Sequence, residues 1–149
     1  MREFNKYTVL DQPGVVQLLF HPRPETGQRI SDKNRRDYLV PVGEGVDLGA
    51  SLYFVSKESP LILFFHGNGE VVSDYDDLAR YFTGQGLNFF VVDYRGYGQS
   101  SGHPTVSAMM ADSHKVLDFL VQMRQEQGLC GRVCVMGRSL GSAPALELA

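Results

Sequence analysis

The sequence has little that would direct it to a membrane or to nucleic acid. Its longest apolar run is Leu61–Phe65, far short of the ~20 residues that span a bilayer. The N-terminus has no apolar core of the kind found in a secretory signal. The net charge is −3, so the sequence lacks the excess of basic residues that is typical of nucleic-acid-binding proteins. We therefore expect no transmembrane segment, no secretory signal and no nucleic-acid partner.

Cysteine is also scarce. The two cysteines, Cys130 and Cys134, lie four residues apart on one predicted strand. Cysteines so placed do not form a good disulfide, and there is no second pair to complete a zinc site. We expect two reduced, buried thiols and hence a cytoplasmic or other reducing compartment. No metal and no cofactor are predicted.

Nucleotide-binding fingerprints are missing as well. The chain has neither a G-x-G-x-x-G pattern nor the lysine of a P-loop. Their absence argues against a flavodoxin-like or Rossmann-like nucleotide-binding domain, which stays open as an alternative for an α/β chain of this length.

Residues 1–59 have the pattern of strands and turns. Val15–Phe20 is apolar and rich in residues that favour strands. Two further runs, Tyr38–Val42 and Leu48–Val55, flank the sequence Gly43-Glu44-Gly45, which indicates a hairpin. We predict antiparallel strands at one edge of the fold.

From residue 60 the pattern alternates between strand and helix. Short continuous apolar runs indicate strands buried on both faces, and amphipathic stretches between them indicate helices. The predicted strands are Leu61–Phe65, Asn88–Val92 and Arg132–Met136, and the predicted helices open near Ser73, cover Thr105–Gln127, and cover Ser139–Ala149. This order predicts one α/β domain over residues 1–149, with a mostly parallel sheet and helices on both faces.

A candidate nucleophile lies where the last predicted strand meets the last helix. Gly137-Arg138-Ser139-Leu140-Gly141 fits the G-x-S-x-G pattern, in which a strand-to-helix turn holds the serine in strained dihedrals and the glycines let the backbone pass itself. A second match, around Ser100, follows a loop and precedes His103-Pro104, which disfavours a helix. We therefore predict Ser139 as the catalytic residue.

A glycine-rich turn, His66-Gly67-Asn68-Gly69, follows the strand Leu61–Phe65. Backbone N–H groups in such a turn can face a ligand at the carboxyl edge of the sheet. We predict that the N–H groups of Asn68 and Leu140 form an oxyanion hole; the alternative is a turn that binds nothing. The residues predicted to shape the site are His66, Gly67, Gly69, Gly137 and Gly141.

Three motifs together resemble the α/β-hydrolase superfamily, and within it the Bem46-like and serine-aminopeptidase-like branch. They are His66-Gly67-Asn68-Gly69, the loop from Asp93-Tyr94-Arg95-Gly96-Tyr97-Gly98 to Pro104, and Gly137-Arg138-Ser139-Leu140-Gly141-Ser142. The resemblance spans about residues 60–149. It implies esterase, thioesterase or peptidase chemistry on a small-molecule acyl substrate, and it implies that the loop after Asp93 is structural.

The sequence departs from this superfamily after Ser139. The acid and the histidine of the triad should follow the serine, yet the ten residues after it contain neither Asp nor His. We expect structural roles rather than the role of general base for the four upstream histidines, His21, His66, His103 and His114. Asp93 ends a predicted strand, and we expect it to hold its own loop rather than to serve as the acid of the triad. About five of the superfamily's roughly eight strands are predicted, so we expect a partial fold whose C-terminal strands are missing.

Two functional hypotheses follow. In the first, the protein is a serine hydrolase whose histidine and acid lie beyond residue 149; the chain alone then has near-zero turnover, since losing triad members costs roughly 10⁴- to 10⁶-fold in rate. In the second, it is a non-catalytic, truncated hydrolase-like module that pairs through the open, apolar edge strand Arg132–Met136 or regulates a full-length relative.

Overall fold

A computed structural model of the chain describes residues 6–26, 28–29 and 31–149. The strands in the described part are β1 Arg35–Gly43, β2 Val46–Tyr53, β3 Leu61–Phe65, β4 Asn88–Val92 and β5 Val133–Gly137. The α-helices there are α1 Pro13–Leu19, α2 Asp76–Gly84, α3 Val106–Gln127 and α4 Ser142–Leu148. Short 3₁₀ turns cover Thr8–Leu10, Val72–Tyr75 and Ser139–Gly141.

The five strands form one mixed sheet in the order β1-β2-β4-β3-β5. The hairpin β1–β2 is antiparallel, and β2 pairs antiparallel with β4. Strand β3 lies between β4 and β5 and is parallel to both. The predicted α/β architecture, with an antiparallel hairpin at one edge of a parallel sheet, is therefore confirmed.

The central strands are buried on both faces because helices cover both sides of the sheet. Leu63 and Phe90 lie in the larger core with the apolar side chains of α3. Phe64 and Phe89 lie in a second core with Ala79 of α2. Successive side chains of β3 and β4 point to opposite faces of the sheet and pack into one core or the other. Every position must therefore be apolar, which explains why these strands are continuous apolar runs.

The prediction of a strand at Val15–Phe20 is wrong, because this segment lies in α1 up to Leu19 and Phe20 is the residue that caps the helix. Pro13 is the first residue of that helix, where a missing N–H has no cost. Val16, Leu19 and Phe20 have helical spacing and pack against the larger core. Residues 1–59 therefore contribute one hairpin and one helix rather than strands alone; residues 1–5, 27 and 30 of this region lie outside the described residues.

The prediction of buried thiols is also wrong, because Cys130 and Cys134 are both exposed. In the parallel register Cys134 lies beside Ile62, and Met136 lies beside Phe64. Helix α2 packs over β4 and β2 on that face, so the corresponding face of β5 stays uncovered and Met136 is 44% exposed. Among the described helices, none combines the length and the apolar character needed to cross a membrane.

Candidate active site

The turn around Ser139 joins β5 directly to α4. Ser139 has a φ of +51°, a value that a non-glycine residue adopts only under local strain. A Cβ atom on Gly137 would lie 2.0 Å from the carbonyl oxygen of Gly141, and one on Gly141 would lie 2.0 Å from the carbonyl oxygen of Phe65. The strained turn is therefore present, and its two glycines are sterically required.

The glycine-rich turn lies beside it, because β3 and β5 are parallel neighbours. Phe65 is in register with Gly137, and the Arg138 N–H donates to the Phe65 carbonyl at 3.0 Å. Gly69 has a φ of +73°, which favours glycine there. Among the described residues, neither the Asn68 N–H nor the Leu140 N–H donates a backbone hydrogen bond in a turn or loop. Because Asn68 follows β3 and Leu140 follows β5, both predicted oxyanion donors lie at the carboxyl edge of the sheet.

His66 lies beneath this turn and is fully buried. Its Nδ1 lies 2.8 Å from the Gly67 carbonyl oxygen, and its Nε2 lies 3.0 Å from Asp93 Oδ1. The same carboxylate oxygen accepts the Val72 N–H at 3.0 Å. Because both ring nitrogens are engaged, His66 holds the turn in place and is not free to take a proton from Ser139.

The loop after β4 braces the turn with two buried tyrosines. The Tyr94 hydroxyl donates to the His66 carbonyl at 2.5 Å, and the Tyr97 hydroxyl donates to Asn68 Oδ1 at 2.8 Å. Burial raises the pKa of Tyr94 well above its usual value and raises the pKa of Tyr97, so both hydroxyls remain protonated donors. Arg95, between them, forms a bidentate pair with Asp112 at 2.8 Å on α3.

A segment after α1 crosses the same turn from the outside. The His21 N–H donates to Asn68 Oδ1 at 2.8 Å, and His21 Nδ1 lies 2.7 Å from Asn68 Nδ2. Arg23 Nε donates to the Gly69 carbonyl at 2.7 Å. The Asn68 side chain therefore helps to hold the turn through its amide oxygen and its amide nitrogen, and its backbone N–H is left for a ligand.

The second G-x-S-x-G match has a different role. The hydroxyl of Ser100 accepts the Gly49 N–H at 2.9 Å, and that of Ser101 accepts the Asp47 N–H at 3.1 Å. This loop therefore ties the segment after β4 to β2, and Ser100 does not stand at a strand-to-helix turn.

The remaining histidines lie elsewhere. His114 is exposed on α3 and pairs with Glu147 at 3.4 Å. His103 is exposed in the loop before α3. In the part of the chain that the structure describes, no histidine ring is hydrogen-bonded to the Ser139 hydroxyl. The described residues thus bring together the predicted nucleophile and the predicted oxyanion donors without a base.

Glu70 and Arg138 were not predicted as site residues, although both belong to the site. Glu70 follows the glycine-rich turn directly and forms an ion pair with Arg138 of the serine turn. The only sequence signal was their position, since Glu70 directly follows the glycine-rich turn and Arg138 lies inside the G-x-S-x-G motif. A cavity of about 490 Å³ lies beside Arg29 and Gln99, and one of about 410 Å³ lies beside Arg95 and Lys115. Neither is lined by the proposed nucleophile or the oxyanion donors, so neither is a candidate for the acyl site.

Comparison with known proteins places these motifs in a family. Residues 56–149 match the model of the family described as serine aminopeptidase, S33. The chain is 34% identical over 97 residues to the protein bem46 of Schizosaccharomyces pombe, covering 62% of this chain and 31% of that protein. It is 27% identical over 141 residues to human ABHD12B, covering 93% of this chain and 34% of that protein. The chain therefore spans about a third of the length of these relatives.

Solved structures agree on the fold. The esterase Pf2001 of Pyrococcus furiosus superposes with a TM-score of 0.64 at 19% identity, covering 84% of this chain and 51% of that one. An esterase of Pyrobaculum calidifontis superposes with a TM-score of 0.61 at 23% identity, covering 76% of this chain and 38% of that one. These superpositions agree with the family match in fold, and the match over residues 56–149 shows that the chain belongs to the serine aminopeptidase S33 family of the α/β-hydrolase superfamily.

Proposed function

We propose that the protein is a serine hydrolase of carboxylic esters, thioesters or amides that works through an acyl-enzyme on Ser139. The observation that carries the proposal is the φ of +51° at Ser139, on a turn between β5 and α4. Strain of this kind costs of order 1–3 kcal/mol and persists where the surrounding structure holds it. The family described as serine aminopeptidase and the neighbours named esterases support the same reaction class.

In the proposed reaction the Ser139 Oγ attacks the substrate carbonyl carbon, and the carbonyl oxygen becomes an oxyanion. The N–H groups of Leu140 and Asn68 donate to that oxyanion. A histidine, oriented by an acid, takes the Oγ proton and passes it to the leaving alcohol, thiol or amine. Water then hydrolyses the acyl-enzyme, which releases the carboxylic acid product and restores Ser139. We place this histidine and this acid beyond residue 149.

The proposal is tested with a fluorophosphonate probe, which phosphonylates an activated serine. We expect no labelling of the 149-residue chain, because none of its described histidines reaches Ser139. The coding sequence downstream of Ala149 should supply a strand ending in Asp and then a loop histidine. The protein extended by it should be labelled at Ser139, and its Ser139→Ala variant should not. Labelling of the 149-residue chain at Ser139, or an extended protein labelled elsewhere, would contradict the proposal.

A second candidate function is association through β5 without catalysis. Strand β5 is the last strand of the described sheet, and one of its faces exposes Cys134 and Met136. Unpaired apolar edges favour pairing with another chain. Sedimentation should then show a fraction of dimer that rises with protein concentration, and the Met136→Lys variant should stay monomeric. Leu146→Lys, at an exposed position on α4, is the control that keeps the dimer. A monomer at every concentration contradicts this function.

A further inference from the structure

The two proposed oxyanion donors belong to different segments. Asn68 lies on the turn after β3, and Leu140 lies on the turn after β5. The backbone joins the two segments through the Arg138 N–H and the Phe65 carbonyl, 3.0 Å apart. Donors in an oxyanion hole must hold their spacing within about 0.5 Å to be effective. The separation of these turns is therefore the quantity that a positioning residue would control.

Glu70 contacts both segments with one carboxylate. Its Oε2 accepts the Gly67 N–H at 2.6 Å, which is the peptide next to the Asn68 donor. Its Oε1 forms the ion pair with the Arg138 guanidinium, two residues before the Leu140 donor. One side chain thus bridges the glycine-rich turn and the serine turn.

The surroundings of Glu70 fix where this carboxylate lies. A Cβ atom on Gly67 would lie 2.7 Å from Glu70 Oε2, so the glycine makes room for it. The Tyr75 hydroxyl donates to the same oxygen at 2.5 Å. Burial raises the pKa of Tyr75, which keeps it a donor, and its ring packs 4.8 Å from that of Phe64 in the second core. The carboxylate is therefore anchored to the sheet as well as to the turn.

We propose that Glu70 is a positioning residue that sets the spacing of the Asn68 and Leu140 N–H groups through Arg138. The proposal rests on the proposed function, since that function makes these groups the oxyanion donors. The Arg138 side chain is 62% exposed and that of Glu70 is 23% exposed. An ion pair so open to solvent contributes little to stability. Its effect should therefore appear in the geometry of the site and in the reaction rather than in folding.

The first test measures the coupling in the 149-residue chain by the amide chemical shifts of Asn68 and Leu140. Glu70→Gln keeps the size of the side chain but has no charge to hold Arg138, and Arg138→Ala removes the partner. We expect Glu70→Gln to shift the Leu140 amide and Arg138→Ala to shift the Asn68 amide. In the double variant, Arg138→Ala should add no further shift at Asn68. Arg80→Ala, which breaks the surface pair with Asp77, should move neither amide.

The second test measures hydrolysis in the extended protein. We expect Glu70→Gln and Arg138→Ala each to lower kcat about 10- to 100-fold with KM unchanged, less than the 10²–10³ lost with a whole oxyanion donor. Arg138→Lys should restore most of the rate, and the double variant should be no worse than either single one. Ser139→Ala reports separately on the proposed function. Absent cross-shifts in the chain, or a loss confined to KM, would overturn the role of Glu70 whether or not Ser139 is the nucleophile.

Discussion

Replacing Gly141 by alanine is expected to lower the free energy of unfolding of the chain by about 3 kcal/mol or more. The new Cβ atom would lie 2.0 Å from the carbonyl oxygen of Phe65 and 2.8 Å from that of His66. Cβ atoms in proteins essentially never lie within 3.0 Å of a non-bonded heavy atom. Both obstructing atoms belong to the backbone at the end of β3, which lies between β4 and β5 and has no free side to move into.

The matched control is Gly14→Ala in α1. A Cβ atom at Gly14 would meet nothing within 4 Å, and alanine in a helix is favoured over glycine by roughly 0.5–1 kcal/mol. Because the chain has no tryptophan, urea unfolding is best followed by far-ultraviolet circular dichroism. A Gly141→Ala midpoint that matches that of Gly14→Ala would show that the serine turn does not depend on this close approach.

The core of the fold could be predicted from sequence because its strands are short apolar runs with turn residues on either side. Leu61–Phe65 and Asn88–Val92 are strands buried on both faces, the structure that a continuous apolar run of this length between turn residues favours. The strand prediction at Val15–Phe20 failed because a mostly apolar segment of six residues does not distinguish a strand from a short helix. Pro13 carried the missing signal, since proline is favoured in the first turn of a helix.

The candidate site was only partly predictable for a related reason. The roles of Gly137 and Gly141 could be predicted from their spacing around Ser139, because the turn that requires them is formed by consecutive residues. The contacts that hold the two turns together join residues that are distant in sequence, such as Glu70 and Arg138 or His21 and Asn68. Their pairing depends on the strand order β4-β3-β5, which periodicity does not give. The exposure of Cys134 has the same origin, because it depends on which strands α2 covers.

Asp93→Ala is expected to lower the free energy of unfolding by about 3 kcal/mol or more, because two buried polar groups lose the carboxylate oxygen that they contact. Asp93 is 2% exposed. Its Oδ1 meets both His66 Nε2 and the Val72 N–H at 3.0 Å, and alanine would leave these two buried groups unpaired. Gly98 packs against the same carboxylate so closely that a Cβ atom there would lie 2.1 Å from Oδ2.

Asp77→Ala is the control for this variant, because the Asp77 side chain is 96% exposed and pairs only with Arg80 among the described residues. Its unfolding free energy should match that of the unmodified chain to within about 0.5 kcal/mol. Since His66 and Val72 border the glycine-rich turn, Asp93→Ala should also broaden or shift the Asn68 amide resonance under native conditions, whereas Asp77→Ala should not. An Asp93→Ala variant as stable as Asp77→Ala would mean that His66 is held by its packing against Tyr94, with ring centroids 4.5 Å apart, rather than by the carboxylate.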